Sequence, residues 1–218
     1  MSDPSYNRGM LSLPEPDPDG RTAVPVKQIG KGAFSRAYLT KTGTPYVYLI
    51  TAEQDGGDYS KRQLAELSRD EDHSPYLPRL LDVGCDERGR CYYRMPYYRA
   101  PLRKADSPKA WAQYQMLRKC WLPALERLEQ RKDRHGATYA GHTVMEEVVE
   151  CASEAGASPG LVRALDLLRG AASNYGSDYS FEFSPRNLAT TDKGQLILLD
   201  TVFSLLVARQ ALVASRQR

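Results

Sequence analysis

The chain has 218 residues, which suits one two-lobed domain or two small ones, and 41% of them are hydrophobic. Thirty basic residues nearly balance 27 acidic ones, and the resulting net charge of +3 argues against a general nucleic-acid binder. No apolar run approaches the length of a membrane span and no signal peptide opens the chain, so we expect a cytoplasmic protein with no membrane partner, located in the host cytoplasm if the source is viral.

The first part of the chain predicts an arm followed by a glycine-containing hairpin. Residues 1–20 are rich in Pro, Asp, Ser and Gly, which is typical of a disordered or loosely docked segment. Residues 24–51 predict three strands, and the residues on either side of the segment Gly30–Ser35 alternate as strands do. Its glycines leave no Cβ in the way, so backbone N–H groups can approach phosphate oxygens. Because a strand follows rather than a helix, the layout favours a protein-kinase phosphate lid over a Rossmann or Walker loop, although an ordinary hairpin would look the same.

The elements that follow predict the rest of a small sheet and then a helical region. Residues 59–70 have helical spacing, residues 77–85 and 90–98 read as two strands, and residues 95–102 as a hinge. Further helices are predicted at 107–134, where Pro123 should bend or break the helix, and at 143–155, 159–175 and 203–215.

The four cysteines lack the spacing of a metal site. The pair Cys85 and Cys91 flanks a predicted hairpin turn, so these two residues should lie near one another across two strands. For all four, including Cys120 and Cys151, the sequence favours reduced thiols in a cytosolic protein.

A second motif occupies residues 178–202. Glu182 is followed five residues later by Asn187, then by a short predicted hairpin, and then by an apolar strand that ends in Asp200. This is the pattern of a kinase catalytic loop and its metal-binding strand. In that chemistry the first acid accepts the proton of the substrate hydroxyl, and the Asn and the last Asp hold magnesium against the phosphates.

With both motifs in the same order, the chain resembles the protein-kinase-like superfamily, and within it the early serine/threonine protein kinases of short-tailed phages. The resemblance implies an α+β, two-lobed fold, with an N-lobe at 21–98 that has a five-stranded antiparallel sheet and one helix. A short, mostly helical C-lobe would follow at 99–218. The resemblance also implies ATP and Mg²⁺ as cofactors. The residues that it assigns are Gly30, Lys31, Gly32, Phe34 and Ser35 to the triphosphate, Met95 and Tyr97 to the base, and Asn187 and Asp200 to the metal.

The chain departs from the family pattern at the positions that matter most for catalysis. Tyr48 stands where the third strand should carry a lysine for the phosphates, and a tyrosine brings no positive charge at neutral pH. Glu182 stands where Asp is usual and is one methylene longer. Two mechanisms stay open. In one, Lys31 replaces the lost lysine and Glu182 or Asp178 acts as the base; in the other, the fold survives as a binding scaffold.

The departures favour a pseudokinase-type scaffold that binds and modulates a protein partner such as a host protein. Losing both a phosphate clamp and an ideal base should cost roughly 10²–10⁴-fold each in rate. The alternatives are an active atypical Ser/Thr protein kinase that uses Lys31 and Glu182, a small-molecule phosphotransferase of the aminoglycoside-kinase type, and a plain α+β interaction protein in which both motifs are accidental. The sequence leaves enzyme activity undecided between these alternatives.

Overall fold

The computed structural model of the protein describes residues 11–12, 25–31, 35–40, 45–52, 57–69, 73–85, 90–135, 141–173 and 179–204. The chain is α+β and divides into two compact units, Met1–Ala65 with Arg79–Tyr97, and Glu66–Pro78 with Tyr98–Arg218. Within the described ranges, no helix is both long enough and apolar enough to cross a membrane.

The first unit is built on one antiparallel sheet. Its strands are β1 (Leu11–Ser12), β2 (Pro25–Lys31), β3 (Ser35–Thr40), β4 (Tyr46–Ala52), β5 (Leu81–Cys85) and β6 (Arg90–Pro96), and the helix α1 (Gly57–Arg69) follows β4. The strand order is β1-β2-β3-β4-β6-β5. The five predicted strands are therefore confirmed, and β1 adds a two-residue strand at the edge beside β2.

The central strand β4 is buried along most of its length. Consecutive side chains from Val47 to Thr51 are all buried, so neither face of this strand lies open to water. Such a run of β-branched, aliphatic and aromatic residues suits a strand covered on both faces, and it explains why β4 shows little alternation of polar and apolar residues.

Three helices form most of the second unit: α2 (Pro108–His135), α3 (Gly141–Glu154) and α4 (Pro159–Ser173). Helix α3 packs against both α2 and α4, and its apolar stripe includes the fully buried Met145 and Val148. Of the two expectations for Pro123, a bend or a break, the break is wrong, because α2 runs through this residue. Both Pro123 and Lys119 are exposed. The carbonyl of Lys119, which loses its helical donor at Pro123, therefore lies on the solvent side.

Two short hairpin-like pairs complete the second unit. Strand β7 (Tyr179–Phe181) pairs with β10 (Val202–Ser204), and β8 (Leu188–Thr190) pairs with β9 (Leu196–Leu198), each pair being antiparallel. The helix predicted from residue 203 is wrong at its start, because Phe203 pairs with Ser180 in a strand. The rest of that predicted helix lies outside the described residues.

All four cysteines form disulfides, which corrects the expectation of reduced thiols. Cys85 and Cys91 are register partners of β5 and β6, with their Cα atoms 4.0 Å apart. The pairing of Cys120 with Cys151 joins α2 to α3, with Cα atoms 5.6 Å apart. The proximity of Cys85 and Cys91 follows from the predicted hairpin, whereas that of Cys120 and Cys151 depends on how α2 packs against α3, which linear spacing does not reveal. Disulfides are rare in the cytosol, so the cytoplasmic location stays a prediction that this pairing opposes.

Candidate functional site

Backbone hydrogen bonds bring Glu182, Asn187 and Asp200 together in the second unit. The N–H of Glu182 donates to the carbonyl of Thr201 at 2.9 Å, next to Asp200. The N–H groups of Leu199 and Asp200 both donate to the carbonyl of Asn187 at 3.0 Å. The three residues that the sequence selects as acid and metal ligands therefore lie on adjoining backbone segments, and we call this set the polar edge.

The local sequence explains the sharp turn between Glu182 and Asn187. Pro185 begins a 3-10 turn over Pro185–Asn187, and Ser184 before it is extended, as a residue that precedes proline prefers to be. The N–H of Asn187 closes the turn on the carbonyl of Ser184 at 2.9 Å. Leu188 then continues directly into β8, so the position of Asn187 is fixed by a strand on one side and a proline turn on the other.

The two residues that flank Glu182 in the chain are aromatic and buried, and they fix its position. Phe181 and Phe183 are buried, and the ring of Phe183 meets Trp121 of α2 edge-on at a centroid distance of 6.0 Å. Because side chains alternate in extended chain, burying both phenylalanines turns Glu182 to the opposite side. Its side chain is 26% exposed, so the carboxylate can reach solvent or a ligand.

The Glu182 carboxylate is engaged by a neighbour that the sequence analysis did not select. Arg186 donates to Oε1 of Glu182 at 2.7 Å, while the Arg186 side chain itself is 75% exposed. The spacing of four residues was the available signal for this pair. Exposed ion pairs contribute little to stability and break easily, so the pair occupies one carboxylate oxygen without fixing the acid permanently.

The polar edge offers oxygen ligands of the kind that Mg²⁺ prefers. The side-chain amide of Asn187 donates through Nδ2 to the carbonyl of Glu182 at 3.5 Å, which leaves Oδ1 as its acceptor. Asp200 is exposed. Magnesium often takes only one or two protein side chains and keeps several waters, so these two residues fit it. Among the described residues, no three His, Cys, Asp or Glu side chains converge in a metal-binding group.

Two buried hydroxyls beside the polar edge lack a partner. Oγ of Ser184 and Oγ1 of Thr201 are removed from the surface and have no hydrogen bond within the described part of the chain. Buried polar atoms are nearly always satisfied by protein, water or a ligand. In the chain, Thr201 directly follows Asp200, and Ser184 lies two residues after Glu182.

In the first unit, the glycine hairpin lies between β2 and β3. Gly30 and Lys31 end β2, and Ser35 begins β3, whereas the predicted contacts at Gly32 and Phe34 lie outside the described residues. An added Cβ at Gly30 would meet only the Cβ of Ala37, at an ordinary 3.5 Å. The packing of the chain itself therefore does not demand glycine at position 30.

Lys31 is exposed and stands directly opposite Arg36 in the β2–β3 register. Like charges that face each other across two strands are destabilising. The role of Lys31 as a substitute phosphate ligand stays a prediction.

The position where a kinase would carry its phosphate-binding lysine is occupied by a buried tyrosine, Tyr48. Tyr48 is 1% exposed and faces Tyr38 on one side and Arg94 on the other in the sheet register. Of the residues predicted to contact a base, Met95 is buried and pairs with Val47. The other, Tyr97, is 40% exposed, and its N–H donates to the carbonyl of Pro45 at 3.3 Å. The amide of Tyr97 is thus engaged within the sheet. The alternative base Asp178 lies outside the described residues.

Comparison with known proteins adds no family. A scan against protein-family models finds no match for this chain. A search of the curated proteins finds no relative that matches significantly.

Proposed function

We propose that this chain is a protein-kinase-like protein with a degenerate ATP and Mg²⁺ site, acting as a pseudokinase-type scaffold that modulates a protein partner. The observation that carries the proposal is the convergence of Glu182, Asn187 and Asp200. Their order and spacing match a kinase catalytic loop and metal strand, and backbone hydrogen bonds join the three positions.

The layout of the first unit supports the same proposal. A glycine hairpin joins β2 and β3, and α1 lies between β4 and β5 in the chain. This is the arrangement in which a kinase N-lobe carries its phosphate lid and its third-strand cation. In the proposal, Asn187 and Asp200 bind Mg²⁺, and residues of Gly30–Ser35 contact phosphate oxygens. Because the motifs resemble those of early kinases of short-tailed phages, the proposed partner is a host protein in the host cytoplasm.

Two observations favour a scaffold over an efficient enzyme. Tyr48 supplies no cation from the centre of the sheet, and it is too deeply buried to adjust its position. Glu182 replaces the usual Asp and shares one carboxylate oxygen with Arg186. Since each defect weakens a different contribution to the rate, their effects on catalysis multiply, whereas binding of a metal–nucleotide complex needs neither residue in its ideal form.

The test is a thermal-shift titration of the full chain with ATP, with and without Mg²⁺. At ligand one hundred times above Kd, binding should add about 2.7 kcal/mol to the free energy of unfolding. For a chain of this size that gain corresponds to an upward shift of roughly 5–10 °C. Asp200→Ala should abolish the magnesium-dependent part of the shift.

The matched control is Asp192→Ala. Asp192 has a side chain that is 79% exposed and pairs only at the surface with Arg99, at 3.2 Å. Its removal should leave the shift unchanged, because such a pair is weak. Equal shifts in wild type and Asp200→Ala would count against the metal assignment and with it the proposed function.

A slow Ser/Thr protein kinase is the second candidate, and one observation favours it. Arg186 engages only Oε1 of Glu182, so Oε2 is available to accept a proton. Transfer of the labelled γ-phosphoryl group of ATP to protein, lost in Glu182→Gln and in Asp200→Ala, would establish catalysis. Binding without transfer would establish the scaffold.

A further inference from the structure

One face of the first unit's sheet collects arginine and tyrosine side chains. Register partners share a face, so Tyr38, Tyr48 and Arg94 form one row across β3, β4 and β6. Arg36 lies two residues from Tyr38 and shares the face with it, as does Lys31 opposite Arg36. We call this surface the arginine–tyrosine face. The charged residues that the described strands place on it are all cations.

Arg94 lies very close to the position where a phosphate-binding lysine is missing. The hydrogen bond from the N–H of Tyr97 to Pro45 marks residues 45 and 97 as a hydrogen-bonded pair of the sheet. Because bonded and non-bonded pairs alternate in antiparallel strands, Tyr48 and Arg94 form a non-bonded pair. Side chains of such pairs approach most closely. Arg94 is therefore the charged residue directly across the sheet from Tyr48.

Among the described residues, Arg94 has no matching acceptor. Its guanidinium carbon lies 5.3 Å from the ring centroid of Tyr46, within the range of a cation–π contact. Its Nε is buried and has no hydrogen bond, and no carboxylate in the described part of the chain forms an ion pair with it. A buried donor without a partner costs free energy. Guanidinium groups present a planar fork of donors that suits carboxylate or phosphate oxygens.

We propose that Arg94 is a phosphate-binding residue that takes the place of the lysine absent at position 48, with Arg36 and Lys31 extending the positive charge along the same face. The identification of the phosphates as those of a nucleotide rests on the proposed function. Stacking of nucleobases on this face is disfavoured, because Tyr38 and Tyr48 are 4% and 1% exposed and offer no free ring. The charge pattern thus selects phosphate groups over bases.

The test measures dissociation constants by titration calorimetry for two probes, Mg-ATP and tripolyphosphate. Arg94→Gln should weaken the affinity for both probes by roughly tenfold to a hundredfold, because it removes a pair of charge-assisted hydrogen bonds to phosphate. Arg94→Lys should recover part of the affinity, since a lysine keeps the charge and loses the fork. Lys27→Gln is the matched control. It removes one exposed positive charge from the opposite face of the same sheet, and should change affinity by less than about twofold.

The outcomes separate this inference from the proposed function. Wild-type affinity of Arg94→Gln for both probes overturns the role of Arg94, and leaves the proposed function standing if Asp200→Ala still loses the magnesium-dependent shift. Weakened tripolyphosphate binding in Arg94→Gln, with no effect of Asp200→Ala on the shift, supports Arg94 and overturns the proposed function. Failure of wild type to bind either probe overturns both. Melting curves of the unliganded variants establish that each is folded, and Arg94→Lys carries the test if Arg94→Gln does not fold.

Discussion

The polar edge of the second unit and the arginine–tyrosine face of the first differ in how their residues are held. Glu182, Asn187 and Asp200 are placed by backbone hydrogen bonds between short segments, and buried phenylalanines support them. On the arginine–tyrosine face, positions are fixed by sheet register, and the charged groups depend on cross-strand neighbours. Under the two proposals, the metal-binding half of the site keeps the residues usual in kinases, whereas the phosphate-binding half uses different ones.

This difference follows from what each kind of site demands. A metal needs particular oxygen atoms at short distances, so the Asn and Asp must sit on rigid backbone. Phosphates are large anions that accept several donor arrangements, and a cation can approach them from a neighbouring strand. In a phosphate-binding site, the cation can therefore stand on β6 in place of β4 without any change in the sheet.

The largest expected effect tests whether the polar edge depends on its buried support. Phe183 is 0% exposed and packs edge-on against Trp121. Phe183→Ala should lower the free energy of unfolding by about 4 kcal/mol, through lost burial and the cavity left behind, as urea denaturation would measure. Phe183→Leu, which keeps most of the volume, should cost about 1 kcal/mol.

The counterpart in the first unit is Ile29, beside the glycine hairpin. This side chain is 46% exposed, so Ile29→Ala should change the free energy of unfolding by less than about 0.5 kcal/mol. Similar losses for Phe183→Ala and Ile29→Ala would contradict the contrast between a supported edge and an open hairpin.

The sequence predicts the elements well where periodicity is strong, and the site where spacing is local. The five strands from β2 to β6 follow from short runs of strand-forming residues between turn residues, and the acid, Asn and Asp of the polar edge follow from a short motif. Contacts that depend on which strands or helices are neighbours cannot be predicted from periodicity or local spacing. The position of Arg94 beside Tyr48 requires knowing that β6, and not β5, pairs with β4. The pairing of Cys120 with Cys151 likewise requires knowing which faces of α2 and α3 meet.

The next prediction compares how much stability each unit loses when its disulfide is removed. In the second unit the bridge closes a separation of 31 residues, and in the first unit one of six. From loop-closure entropy, replacing Cys120 and Cys151 by alanine should cost about 3.5 kcal/mol, and replacing Cys85 and Cys91 about 2 kcal/mol. Urea denaturation of the two double variants measures this difference, and a reducing agent should lower the stability of wild type by more than that of either variant. Alkylation of four thiols in unreduced protein, detected by mass, would contradict the pairing.

The smallest expected effect on stability concerns Tyr76, which connects the β8–β9 hairpin to the helices. Its backbone carbonyl accepts the N–H of Leu198 in β9 at 2.8 Å. Its hydroxyl lies 2.7 Å from Oγ of Ser158 and accepts from Nε2 of Gln113 at 2.9 Å. Burial raises the pKa of this hydroxyl, but hydrogen bonds with Ser158, Gln195 and Gln113 and the charge of Lys109 together bring the pKa below the ordinary 10.0.

A lowered pKa in the folded state makes the unfolded state bind more protons over the interval up to 10.0. Stability from this group therefore rises with pH through that interval, is fully present above the unfolded pKa, and is lost as pH falls through the folded value. The difference in free energy of unfolding between wild type and Tyr76→Phe should accordingly be larger at about pH 10.5 than at about pH 8. Other tyrosines titrate in both proteins, so the difference isolates Tyr76. Lys109→Gln removes the smallest of the contributions that lower the pKa of Tyr76, so most of the increase in the stability difference with pH should remain. A stability difference that stays constant with pH would mean that the hydroxyl network does not favour the ionised form of Tyr76.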